Sequence, residues 1–95
     1  MEISEHCYRR AKERAGLNKN SFSKMVNKAI EKNISLDKTK NGLNKWICST
    51  TLKHQYKLSV LVYDKYLLLH SNYNFASIYQ VPRNLLPISK FINIS

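Results

Sequence analysis

Carboxylates are scarce in this 95-residue chain: six Asp and Glu stand against sixteen Lys and Arg. With so few acids, chemistry that depends on paired carboxylates is poorly supplied. Glycine and proline number two each, which argues against a collagen-like or disordered chain and leaves no glycine-rich phosphate loop. Ser, His and Asp do not fall in a triad order. Cysteine is limited to Cys7 and Cys48, and neither sits in a Cys-x-x-Cys spacing with histidines at zinc-ligand intervals. The expectation is two structural thiols in a reducing compartment, with no metal and no cofactor. Long apolar runs are also missing. The longest, around residues 60–62 and 67–69, fall far short of a membrane span, and the N-terminus is charged from Glu2 onward without an apolar signal core. A cytoplasmic protein with no membrane association is expected, in the host cytoplasm if the chain is phage-encoded.

Apolar residues make up 43% of the sequence, enough for a packed domain. A chain of this length buries only about 60–65% of its unfolded surface, so one domain with a thin core is expected. The formal charge of +10 raises the self-repulsion of the compact state, and a polyanionic partner would offset it. Residues 1–46 hold eleven basic and five acidic groups, and residues 47–95 hold five and one. The charge is therefore spread along the chain, unlike the dense run of a basic tail.

The order of local signals is helical first and β-rich afterwards, which predicts an α+β domain spanning residues 1–95: two to three N-terminal helices on a three- to four-stranded antiparallel sheet. Ser4 as N-cap and Gly16 as C-cap bracket a helix over residues 5–15. Ser21 can cap a second helix over 21–32, in which Phe22, Met25, Val26, Ala29 and Ile30 share one face while Lys24, Lys28 and Lys32 form a basic stripe on another. Asn33 ends it, and residues 33–42 read as a loop. Leu43, Trp46 and Ile47 suggest a short third helix over 43–48. Strands are expected over 50–54, 56–63, 66–70 and 75–81, with a turn at Asp64-Lys65 and closure at Pro82. The apolar tail 84–95 should pack on the sheet, extend its edge or meet a partner; self-association would run through Leu85, Leu86, Phe91 and Ile92.

His6, Arg10 and Arg14 are spaced by four and stack on one helix face, while Cys7, Ala11 and Ala15 form a small adjacent face that can lie close to a sheet. The run His6-Cys7-Tyr8-Arg9-Arg10-Ala11-Lys12-Glu13-Arg14-Ala15-Gly16 resembles the His-Ala-x-x-Arg-x-x-Glu-Arg-x-Gly motif of a small bacterial and phage domain group. That group is similar to the barnase, EndoU, colicin and RelE ribonuclease superfamily, and Cys7 stands where its motif has Ala. The resemblance extends loosely over the second helix, the Val62-Tyr63-Asp64-Lys65 hairpin and the strand ending Ser77-Ile78-Tyr79-Gln80-Val81-Pro82. It implies a RelE-like fold. It also implies a catalytic set of His6, Arg10, Ser77 and Tyr79, because a hydroxyl residue of the final strand faces the helix-one histidine in that family.

Such a set suits metal-free RNA cleavage, in which histidine moves a proton and arginine stabilises phosphorane charge, with Ser77 or Tyr79 orienting groups. Tyr8, Arg9, Arg14, Lys24, Lys28 and Lys32 are candidates for gripping nucleic acid, Tyr8 as a stacking ring exposed near Arg9. His54 and His70 lie on expected strands without a ligand-spaced carboxylate or cysteine and read as strand residues. Two functions fit: an RNA-binding or ribonuclease toxin-like module, or a non-enzymatic phage-encoded inhibitor, of the anti-CRISPR kind, that blocks a nucleic-acid-bound host complex.

Overall fold

Helix α1 (Glu5–Ala15) begins where the Ser4 side chain accepts the backbone N–H of Cys7 at 3.0 Å and ends at Gly16, which takes the left-handed conformation at φ 66°. An L side chain at that φ is strained, so the glycine is the residue that lets the chain turn. Helix α2 (Lys19–Lys32) starts two residues earlier than expected. Its cap is Asn18, whose side chain accepts from the Ser21 backbone N–H at 2.8 Å, so Ser21 lies within the first turn. Asn33 closes it with φ 50°. In this computed structural model residues 2–52 and 58–93 are described.

The expected loop 33–42 contains a 3₁₀ turn at Leu36–Lys38, and Gly42 already belongs to helix α3 (Asn41–Thr51). Residues Thr50 and Thr51, expected in a strand, extend α3 instead. The Thr51 hydroxyl donates to the Ile47 carbonyl at 2.9 Å, so its β-branched side chain is accommodated by bonding back onto the helix. Leu52 caps that helix, and the last two residues of the expected strand, Lys53 and His54, lie outside the described residues.

Four strands form one sheet in the order β1-β4-β3-β2: β1 (Glu2–Ile3), β2 (Ser59–Tyr63), β3 (Tyr66–Ser71) and β4 (Asn74–Gln80). The last three make an antiparallel meander close to the expected bounds, with Tyr56 and Lys57 outside the described residues. The fourth strand is β1, which pairs parallel with β4 through Glu2↔Asn74 and Ile3↔Phe75, so the sheet is mixed and not wholly antiparallel. Two residues carry no readable periodicity. They pair because β4 presents a free edge beside the entry to α1.

Both faces of the sheet are covered. Leu61, Tyr66, Leu68, Phe75 and Ile78 pack with Cys7, Ala11, Phe22, Met25, Val26 and Ala29 beneath α1 and α2. The alternating partners Val60, Val62, Leu67 and Leu69 pack with Leu43 and Ile47 of α3 and with Val81, Leu85 and Ile88. The second core explains the apolar tail. Leu85 is buried, and Leu86, Phe91 and Ile92 are half-buried against that core. The tail is also pinned by main-chain bonds, Lys40 N–H to the Phe91 carbonyl at 2.8 Å and Asn93 N–H to the Lys38 carbonyl at 2.7 Å. The tail therefore packs on the sheet, the first of the outcomes expected for it, because α3 alone is too narrow to cover that face.

Among the described residues no helix is long and apolar enough to cross a membrane.

Candidate functional site at the edge of the sheet

Alternation along a strand would put Phe75, Ser77 and Tyr79 on one face. The register prevents it: Leu69 pairs with Ser77 but His70 pairs with Phe75, so β4 carries one extra residue, Ala76. This bulge sends Phe75 into the core below the helices and turns Ser77 and Tyr79 toward the other face.

Beyond Phe75, β1 has ended, and the outer edge of β4 meets the flank of α1. There Arg14 donates to the Ile78 carbonyl at 2.9 Å, and its guanidinium carbon lies 4.5 Å from the centre of the Tyr79 ring. The Gln80 side-chain amide returns a hydrogen bond to the Arg14 carbonyl. Arg14 therefore closes an open strand edge with a planar cation and stands half-buried.

A groove of about 380 Å³ runs along this seam, lined by His6, Arg10, Arg14, Leu58, Ala76, Ser77 and Tyr79. The face of α1 read from the four-residue spacing and the two strand residues implied by the motif resemblance meet in one place. His6 is exposed, and its Nε2 accepts from the Arg10 Nε at 3.4 Å, a long contact that sets ring and guanidinium side by side. In a neutral ring accepting at Nε2, the proton sits on Nδ1. Arg10 also faces Glu13, 3.6 Å away, in an open pair that adds little to stability.

Ser77 is the unusual member. It is 6% exposed, lines the groove, and its hydroxyl has no hydrogen-bond partner among the described residues. No fully enclosed side-chain polar atom among those residues lacks a partner, so the Ser77 oxygen keeps a small opening, and the residue lines the groove. A nearly buried hydroxyl without a partner among the described residues is available to a polar group that enters the groove.

The remaining candidates are placed elsewhere. Tyr8 is half-buried, not exposed. Its ring meets the Phe22 ring edge-on at 5.9 Å and its hydroxyl is 3.1 Å from the Ser23 hydroxyl. Tyr8 therefore points to α2. At about 100° per residue, His6 and Arg10 lie on the opposite flank of α1. Lys24, Lys28 and Lys32 are exposed on α2, and none of them is among the described residues that line the groove. Arg9 is exposed on the outer side of α1.

His70 is buried at 7% exposure. Its Nδ1 accepts the Tyr73 backbone N–H at 3.2 Å, and its ring stacks on Tyr73 at 5.1 Å. Burial pushes its pKa below the ordinary 6.5. The sequence carries no signal for this role, which depends on the β3–β4 turn holding Asn72 and Tyr73 at φ 51° and 62°. His54 lies outside the described residues. Comparison with family models, with characterised proteins and with solved structures returns no match.

Proposed function

We propose that this chain is an RNA-directed protein of RelE-like fold that holds a phosphodiester in the groove between α1 and β4 and cleaves the strand without a metal ion. The observation that carries this reading is the gathering along one groove of His6, Arg10, Arg14 and Ser77, whose hydroxyl has no hydrogen-bond partner among the described residues. The motif resemblance supports the same assignment, and the charge of +10 suits a polyanionic partner.

In the proposed reaction, Arg10 turns from His6 to the phosphate, and the freed His6 Nε2 takes the proton of a ribose 2′-hydroxyl. The resulting oxygen attacks the adjacent phosphorus, and the departing 5′-oxygen takes a proton from solvent water, whose hydroxide is neutralised by the proton on His6. The products are a 2′,3′-cyclic phosphate and a free 5′-hydroxyl. Arg10, held only by its long contact to His6 and its open pair with Glu13, stabilises charge on the phosphorane, while Arg14 is held by Ile78 and Tyr79 and fixes the groove wall. Ser77 supplies a hydrogen bond to a phosphate or sugar oxygen, and Tyr79 positions Arg14. Two free thiols, Cys7 and Cys48, suit a cytoplasmic setting.

The test is incubation of the purified chain with a long RNA in EDTA, with His6→Ala, Arg10→Ala and an all-2′-deoxy strand as comparisons. Cyclic-phosphate ends that disappear with each of the three support the reading. Salt-sensitive binding with RNA left intact, and no change in His6→Ala, would remove the catalytic step and leave a blocking protein of the inhibitor type.

A further inference from the structure

The α2-facing flank of α1 carries a crevice of about 280 Å³ lined by Tyr8, Arg9, Lys12, Leu17, Asn18 and Lys19. Its shape is set by structural bonds. The Tyr8 ring is fixed by Phe22 and Ser23, and Asn18 is held in place as the cap of α2. Lys19 Nζ lies 5.3 Å from the centre of the Tyr8 ring and 3.4 Å from the Glu5 carboxylate.

The charges around the crevice are unbalanced. Both acids of α1 are matched, Glu5 by Lys19 and Glu13 by Arg10, so Arg9 and Lys12 are cations without an ion-pair partner among the described residues. A ligand suited to this place presents an anion to Arg9 and Lys12 and a less polar body to Tyr8 and Leu17. A sugar-phosphate unit does both.

The crevice and the groove lie on opposite flanks of the same helix, since Tyr8 is about 200° around the axis from His6, and Lys12 about 200° from Arg10. A strand leaving the groove would cross one helix width, about 10–12 Å, and meet Arg9 on the way. We propose that this crevice is a second subsite, which takes a phosphate of the RNA strand flanking the one in the groove. The assignment rests on the RNA reading above and adds to it a length requirement: a strand must span α1 to engage both sites.

The test compares a 2′-O-methyl dinucleotide, too short to leave the groove, with a single-stranded 2′-O-methyl dodecamer, neither of which has a 2′-hydroxyl to cleave with, both followed by NMR titration across a range of salt concentrations. The variant is Arg9→Gln with Lys12→Gln. Both side chains are exposed, and a control, Lys45→Gln with Lys90→Gln, removes the same charge from the far side of the sheet. The variant should weaken dodecamer binding about tenfold and lower the logarithmic salt slope by about 0.7 for each phosphate no longer neutralised, with dinucleotide binding and the control unaffected. Backbone signals of Lys12 and Lys19 should shift with the dodecamer alone. An unchanged variant, or an equal loss in the control, overturns the subsite while leaving groove binding intact. A wild-type chain that binds neither oligonucleotide overturns the RNA reading itself, and the subsite with it.

Discussion

Arg14 crosses from α1 to the edge of β4 and donates to the Ile78 carbonyl at 2.9 Å, so one side chain both seals the sheet and forms a wall of the groove. Its guanidinium is held by that bond and by the Tyr79 ring. Arg14→Ala is expected to lower stability by about 1–2 kcal/mol. In a domain of this size that corresponds to a melting temperature roughly 5–15 °C lower. Arg14→Lys should recover less than half, because an ammonium cannot stack flat on a ring while bonding sideways. Thermal denaturation of the two variants checks both statements.

Ser77 separates stability from binding. Its hydroxyl makes no hydrogen bond among the described residues, so Ser77→Ala should leave folding stability unchanged within about 0.5 kcal/mol. Affinity for RNA should fall by about threefold to tenfold, the worth of one net hydrogen bond. A variant that loses stability and keeps full affinity would show that the hydroxyl serves the fold.

The buried His70 makes stability depend on pH with a definite sign. Burial lowers its folded pKa below the ordinary 6.5, so the unfolded chain takes up the proton first as pH falls. Its contribution to stability is complete above about pH 6.5 and is lost as pH falls through the folded value. Protonation also fills Nδ1, which accepts the Tyr73 N–H. Urea unfolding at pH 7.5 should therefore give a higher midpoint than at pH 5.5. His70→Asn, which keeps an acceptor but does not titrate, should flatten that difference.

The two thiols should react very differently. Burial under the sheet pushes the Cys7 thiol up to about 11, whereas Cys48 is exposed on α3. Only the thiolate attacks a disulfide or alkylating reagent. One equivalent of Ellman's reagent should be consumed quickly by the native chain, and Cys48→Ser should abolish that fast phase. A second equivalent should appear only on unfolding.

Features that depend on neighbours in sequence are legible without coordinates. Ser4 and Gly16 bracket α1 as expected, because a cap is a bond across three or four residues. The stacking of His6, Arg10 and Arg14 follows from helix geometry alone, and the structure does bring them to one groove. Asn18 and Ser21 are both good caps, so only the folded chain selects between them. Thr50 and Thr51 carry strand propensity, yet the packing of Leu43 and Ile47 in the second core keeps their helix going.

Residue order by itself determined the elements whose stabilising bonds are local: the capped first helix, the apolar face of the second, the meander of three strands and the excess of positive charge. Tertiary structure decided the rest. Pairing of Glu2 and Ile3 with β4, the extra residue at Ala76 that turns Ser77 toward the groove, and the folding of the tail over a second core all join segments far apart in the chain. Such pairings exist only after the sheet has an edge to pair and two faces to cover, and no local pattern encodes either.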